Sequence, residues 1–198
     1  AARMLIEDAR AAVGEGLGVH ARNVVFTSGG TEANALALAP GLAGPEGTPE
    51  RLIVSAIEHP SVMSGGPAGR APELAPVTAD GVVDLDALAE MLAGGAPPLV
   101  SVMLANNETG AVQPISEVAH LVHEAGGLLH VDAVQAFGKI DFDISGLDAD
   151  LVSISAHKLG GPKGIGALVM RDERIVPNAV LRGGGQERGR RGGTENVI

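Results

Sequence analysis

The sequence has no cysteine, no tryptophan and no tyrosine, and only three phenylalanines in 198 residues. Without cysteine there is no disulfide framework, no thiolate metal site and no cysteine nucleophile within these residues. A chain this poor in aromatics, yet 45% hydrophobic, must build its core from Ala, Val, Leu and Ile. That composition suits helices packed closely on a parallel sheet. Positive charge is also scarce. The formal net charge is −10, and the basic residues are scattered until a cluster between Arg182 and Arg191, so neither a nucleic-acid footprint nor a polybasic membrane anchor is expected. No apolar run reaches the ~18 residues a membrane helix needs, and no signal peptide is visible. The expectation is a soluble cytoplasmic protein.

Against that background the three lysines, Lys139, Lys158 and Lys163, stand out. Lys158 ends an alternating apolar run, Leu151, Val152, Ile154, and is followed by Leu-Gly-Gly-Pro-Lys-Gly. This reads as a buried strand delivering a lysine to its C-terminal mouth, then a tight loop and a returning strand. A lysine in a dry pocket can act as an amine nucleophile toward aldehydes. Read alone, it is equally a lysine reaching the surface from a strand end.

The whole chain alternates in the same manner. A helix is expected over 1–13, a strand over 23–27, a helix over 31–39, a strand over 52–55 and mostly loop over 65–76. Then follow a helix over 84–92, a strand over 99–104, a helix over 116–124 capped by Ser116, and a strand over 128–131 ending in Asp132. Strands over 151–155 and 165–170 close the series. Strand–helix alternation with short loops means an α/β fold with a mostly parallel sheet flanked by helices, whose ligands bind beyond the strand C-terminal ends. The sequence starts inside its first helix and stops after a Gly/Arg-rich stretch, which reads as a fragment. Missing flanking elements would expose apolar surface unless the chain dimerises.

Five strand ends carry polar groups. Thr27-Ser-Gly-Gly-Thr-Glu-Ala-Asn34 has the glycines and threonine of an anion cradle at a helix N-terminus, though an ordinary capped turn has the same pattern. His59 follows the second strand, Asn106-Asn-Glu-Thr-Gly110 the third, and Asp132 ends the fourth, where a lone carboxylate is expensive without a cation. Ser155-Ala-His-Lys158 ends the fifth. His20, His120, His123 and His130 read as loop, helix-face and strand residues, with no metal-ligand spacing. One ligand uses all five ends: an aromatic aldehyde phosphate with a ring nitrogen. The cradle takes the phosphate, Lys158 the aldehyde, Asp132 the pyridinium, and His59 stacks on the ring. That ligand is pyridoxal 5′-phosphate.

These segments, with His130-Val-Asp-Ala-Val-Gln135, Asn106-Asn-Glu-Thr-Gly-Ala-Val-Gln-Pro114, Ser153-Ile-Ser-Ala-His-Lys-Leu-Gly-Gly-Pro-Lys-Gly-Ile-Gly166 and Gly183-Gly-Gly-Gln-Glu-Arg-Gly-Arg-Arg-Gly-Gly-Thr-Glu-Asn196, resemble the cysteine desulfurases. That group belongs to the class V aminotransferases of fold-type-I pyridoxal-phosphate enzymes. The last segment points to the nitrogen-fixation and iron–sulfur-assembly type. The resemblance implies a large cofactor-binding domain spanning residues 1–198, truncated at both ends and without the C-terminal small domain. It also implies that Lys158 carries the cofactor and shuttles the substrate's Cα proton, with His59 as its catalytic companion. Asp132 would pair with the ring nitrogen, Gln135 with the ring oxygen, and Asn107 would lie near that oxygen and the substrate carboxylate. Gly30, Thr31, Ser155 and His157 would bind the phosphate, and Thr194 would reach the phosphate of a neighbouring subunit in a homodimer. The implied substrate is L-cysteine, and the implied receivers are an iron–sulfur scaffold or another sulfur-acceptor protein. The family's persulfide-bearing cysteine and substrate-binding arginine have no match in this sequence, so cofactor binding without full turnover is expected. Two alternatives remain: another class V enzyme, such as a selenocysteine lyase or an aminotransferase, and a non-catalytic binding or dimerisation module.

Overall fold

The computed structural model describes residues 2–67 and 71–194. Helix α1 spans Ala2–Gly16, then come β1 (Val24–Thr27), α2 (Gly30–Ala37), β2 (Arg51–Ser55), α3 (Pro60–Met63), β3 (Glu73–Ala75) and α4 (Leu85–Leu92). The series continues with β4 (Pro98–Met103), α5 (Ile115–Glu124), β5 (Leu128–Asp132), β6 (Leu151–Ser155) and β7 (Gly166–Met170). The seven strands form one sheet in the order β1-β7-β6-β5-β4-β2-β3. All lie parallel except β7, which returns antiparallel between β6 and β1. The fold is therefore the mostly parallel α/β sheet read from the sequence. Its C-terminal edge gathers Thr27, Ser55, Met103, Asp132 and Ser155 on one side.

The interior strands are apolar on both faces because helices cover both. Toward one face point Val100, Val102, Val131 and Val152, packed with Leu88, Val118 and Val122 of α4 and α5. Toward the other point Val54, Leu99, Leu151 and Leu168, packed with Ala33, Leu36 and Val62 of α2 and α3. The sheet itself has no bare face among the described residues. Exposed large apolar side chains sit instead on α1 (Met4, Leu5), at the sheet edge (Leu74), in loops at the polar edge (Val112, Leu159) and on the C-terminal segment (Val176, Val180, Leu181). Among the described residues no helix is long and apolar enough to cross a membrane.

One local expectation is corrected and two are extended. The stretch 65–76 contains a strand, β3, paired parallel to β2 at the sheet edge. Its three residues are too few to show a period. Ser116 does not cap α5; Pro114 occupies that position without a side-chain bond, and Ser116 Oγ reaches Gly146 O at 3.4 Å. His123 is more than a helix-face residue. Its Nε2 meets Asp150 Oδ2 at 2.8 Å and its Nδ1 meets Asp148 Oδ2 at 3.2 Å. Arg171, just past β7, bonds both of these aspartates, with Nη2 2.7 Å from Asp150 Oδ1. Asp150 is 1% exposed and also accepts the Leu129 N–H at 2.8 Å. The cluster clamps α5 to the N-terminal ends of β5 and β6, opposite the polar edge.

The bond to Asp150, aided by the charges of Asp150 and Asp148 and opposed by burial and Arg171, raises the His123 pKa above the usual histidine value. A raised folded pKa adds stability that is complete below the unfolded value of about 6.5 and is lost as pH climbs through the folded one. His123→Gln is therefore expected to lower the urea midpoint most in mildly acidic buffer, by about 1 kcal/mol of stability, and least in alkaline buffer. A pH-independent difference between the two proteins would contradict this.

Candidate active site

The turn after β1 is shaped by glycine. Gly29 has φ of 151° and ψ of 178°, a conformation open essentially to glycine alone. A Cβ on Gly30 would sit 2.7 Å from Val134 Cγ2 and 3.4 Å from Ser155 Cβ. This close approach brings the N-terminus of α2 against the ends of β5 and β6. The first intrahelical bond there is Ala33 N–H to Gly29 O at 3.0 Å, so the N–H groups of Gly30, Thr31 and Glu32 precede the helical ladder and face outward. On the other side, Ser155 Oγ lies 2.9 Å from His157 Nδ1. Donors of this kind at a helix N-terminus suit a phosphate.

Gly30, Thr31, His59, Asn107, Asp132, Gln135, Ser155, His157 and Lys158 all line one cavity of about 550 Å³ at the C-terminal edge of the sheet. Lys158 sits in the 3₁₀ turn Ala156–Lys158 after β6 and is exposed at the cavity lip. The dry setting expected from the sequence is absent in the single chain. Gln135 Oε1 accepts from Lys139 Nζ at 3.0 Å. Of the paired asparagines, Asn106 is structural: its Oδ1 takes the N–H groups of Glu108 and Thr109, both at 2.9 Å, and its Nδ2 bonds Ile57 O. Asn107 is the one that faces the cavity.

Thr194 is not in this cavity. It lines a separate one of about 750 Å³ near β1, beside Arg10, Glu187 and Arg190. Part of the basic cluster folds back onto its own chain, while Arg182 and Arg188 stay exposed. Arg191 Nε meets Glu32 Oε1 at 2.8 Å, and Arg188 donates to Arg22 O at 2.7 Å. Residues 195–198 of the Gly/Arg segment lie outside the described residues.

Asp132 is 5% exposed at the end of a central strand. Its Oδ1 accepts the Val134 N–H at 3.0 Å and its Oδ2 accepts from Asn34 Nδ2 at 2.8 Å. Burial raises its pKa, countered by these two bonds and by His59. No cation is ion-paired to it among the described residues. Asn34, Ser61 and Glu58 escaped the sequence reading as site residues. Asn34 was visible only as an amide three residues after Thr31 on the buried side of α2. His59 caps α3, its Nδ1 accepting the Ser61 N–H at 3.1 Å and lying 2.8 Å from Ser61 Oγ.

Glu58 lies just behind Asp132. Its Oε1 accepts from Ser55 Oγ at 2.5 Å and from the Met103 N–H at 2.7 Å, while Oε2 is buried and unpartnered. Burial, with some help from the Asp132 charge, pushes its pKa up to about 8 against those two bonds. The raised acid contributes stability at low pH that is lost between the unfolded value of about 4.3 and about 8. Replacing Glu58 with Gln should flatten that part of the stability–pH curve. Equal slopes in urea titrations of the two proteins would refute the assignment.

This arrangement has close relatives. A sequence profile described as Aminotransferase class-V matches residues 1–195. The chain is 43% identical over 182 residues to a cysteine desulfurase of Sinorhizobium fredii, covering 88% of this chain and 46% of that protein. It is 39% identical over 197 residues to cysteine desulfurase IscS of Rickettsia bellii, covering 96% of this chain and 47% of the relative. Among solved structures, a NifS-like protein from Rickettsia africae superposes with a TM-score of 0.88 at 37% identity, covering 99% of this chain and 54% of that one. SspA in complex with cysteine superposes at 0.83 with 35% identity, covering 99% and 58%. The chain thus spans about half the length of the curated relatives it matches. On the profile match and these identities together, the chain belongs to the aminotransferase class-V family.

Proposed function

We propose that these residues form the pyridoxal 5′-phosphate-binding large domain of a cysteine desulfurase, which converts L-cysteine to L-alanine and passes the sulfur on for iron–sulfur cluster assembly. The observation that carries the reading is Asp132: a buried carboxylate, held by two hydrogen-bond donors but no cation, facing the same cavity as Lys158 and the α2 cradle. A cationic ring nitrogen is the partner that such a carboxylate lacks. The donor set fits the whole cofactor. The N–H groups at Gly30 and Thr31 would hold its phosphate with Ser155 and His157, the Lys158 amine its aldehyde carbon, and Gln135 its ring oxygen.

The chemistry supplied there is electron withdrawal from the substrate's Cα. The protein's part is to aim the reacting groups. Lys158, on a short turn at the cavity lip, would hold the cofactor and move the proton at Cα. His59, restrained through Nδ1 by the start of α3, would stack on the ring. Asn107, on the same cavity wall, would meet the substrate carboxylate.

L-cysteine is the substrate that the relatives' names favour, and the SspA structure is of a complex with cysteine. No thiol exists among the 198 residues, so the group that accepts sulfur has no counterpart here. The reading extends to a cytoplasmic homodimer in which Thr194 serves the partner's cradle, and to a sulfur-acceptor protein such as an iron–sulfur scaffold.

The decisive experiment adds pyridoxal 5′-phosphate to the purified protein. A visible absorbance band is expected, shifted by L-cysteine and abolished by Lys158→Ala; a band that survives in the variant, or none in the parent, overturns the reading. Gly30→Ala tests the cradle separately. Its Cβ must displace Val134, and cofactor affinity is expected to fall roughly tenfold or more, the ~1–3 kcal/mol of a small-to-large clash. Unchanged affinity would remove Gly30 from the cradle.

A further inference from the structure

The amide of Asn34 joins two groups that the proposed site uses separately. One N–H of Nδ2 points to Asp132 Oδ2 at 2.8 Å and the other to Ser61 Oγ at 2.9 Å. Asn34 is 1% exposed, and its Oδ1 is buried without a partner. An orphaned carbonyl oxygen is costly and needs a reason. The reason here is charge. Turning the amide over would let Oδ1 accept from the Ser61 hydroxyl but would press it against the Asp132 carboxylate and lose that bond, so the carboxylate dictates which way the amide faces. Because Asn34 already donates to Ser61 Oγ, the Ser61 hydroxyl proton is left for His59 Nδ1, 2.8 Å away. The result is one directed chain from Asp132 through Asn34 and Ser61 to the His59 ring.

We propose that Asn34 is a positioning residue, which holds the Asp132 carboxylate and, through Ser61, the His59 ring as one unit around the cofactor. The proposal rests on the pyridoxal-phosphate reading for its function, but its geometry belongs to this chain alone. Asn34 sits on α2, the helix whose N-terminus forms the cradle, so a single rigid element sets the phosphate site, the edge partner of the ring and the face partner. The titratable groups facing Asp132 are Glu58 from the end of β2 and His59 from the start of α3, with Glu32 of α2, His157, Lys158 and Lys163 elsewhere on the cavity wall. Asn34 is the side chain that bonds the ionised form of Asp132 directly. Its removal therefore favours the protonated acid, which cannot pair with a cationic ring.

The test follows the Asp132 carboxyl by carbon NMR in the ligand-free protein, with Asp132→Asn assigning the signal. Asn34→Ala is expected to raise its titration midpoint by about one pH unit, a tenfold gain in proton affinity. The isosteric Asn34→Asp is expected to raise it further, because it adds a like charge and removes the donor. If Asn34 only fills space, Asp is tolerated better than Ala, and that order would overturn the proposal. Ser61→Ala keeps the bond to Asp132 and breaks the link to His59. It should leave the Asp132 midpoint in place while shifting the His59 ring resonance, so it remains informative if the Asn34 variants do not fold. An unmoved His59 signal in Ser61→Ala would overturn the coupling. A spectrum with added pyridoxal 5′-phosphate separates the two readings. If the parent lacks a Lys158-dependent band, the cofactor reading fails while the ligand-free titrations still judge Asn34. If the band forms in parent and Asn34→Ala alike and the midpoints agree, the positioning proposal alone is overturned.

Discussion

Everything at the polar edge of this sheet is arranged around one carboxyl group buried inside the protein. Asp132 terminates β5, the strand at the centre of the seven-stranded order. Burial disfavours its ionised form, and only the Val134 N–H, the Asn34 amide and the nearby His59 oppose that. An unpaired buried charge costs several kcal/mol by typical measure. The surrounding structure is best understood as the means of holding that carboxyl group ready for a cation. The tight turn at Gly29 and Gly30 lets α2 approach, α2 delivers Asn34, and α3 places His59 on the same network.

A second constraint keeps α2 and the sheet edge in register. β1 is an edge strand, and its exposed N–H groups would invite pairing with another chain. Glu187 blunts that edge by accepting the Phe26 N–H at 3.0 Å. The same carboxylate forms a two-point pair with Arg10 of α1, at 2.6 and 2.9 Å, and Arg10 also bonds Val24 O and lies 4.8 Å above the Phe26 ring. Glu187 and Arg188 adopt φ of 45° and 56° to make this possible. Such left-handed conformations in non-glycine residues persist only when the surroundings impose them. The nearby Arg191–Glu32 pair then ties the same segment to the first turn of α2. The Gly/Arg-rich tail is therefore part of the scaffold that fixes the cradle.

How far the sequence anticipated this depends on the range of each interaction. Strand–helix alternation and the apolar runs report local burial, so the parallel sheet, the β6–β7 hairpin and the strand ends carrying His59, Asp132 and Lys158 were legible. The short edge strand β3 was not, because three residues, two exposed and one buried, are too few to carry a period. The His123 clamp was hidden because its partners lie 25 and 27 residues away and meet only when β5 and β6 align. Asn34 was quoted in its motif but given no role, since an amide on an alanine-rich helix looks like ordinary helix surface until Asp132 is placed beside it. Thr194 shows the opposite case. Its motif was plain, yet within one chain it faces a cavity apart from the other site residues.

The two buried carboxylates at this edge divide one electrostatic problem between them. Met103 pairs in register with Asp132 across β4 and β5, and the Met103 N–H also donates to Glu58. Glu58 and Asp132 therefore flank the same residue, close enough for the Asp132 charge to raise the Glu58 pKa. Two like charges this deep cannot both persist near neutrality. Their surroundings decide which yields. Glu58 faces the interior, with Oε2 unpartnered, and its pKa near 8 keeps it mainly protonated. Asp132 opens onto the cavity and keeps a donor on each oxygen. By remaining mainly neutral, Glu58 spares Asp132 a repulsive neighbour on the side away from the ligand space. The acid that stays neutral in the core is thus as much a part of the site's electrostatics as the carboxyl that faces the cavity.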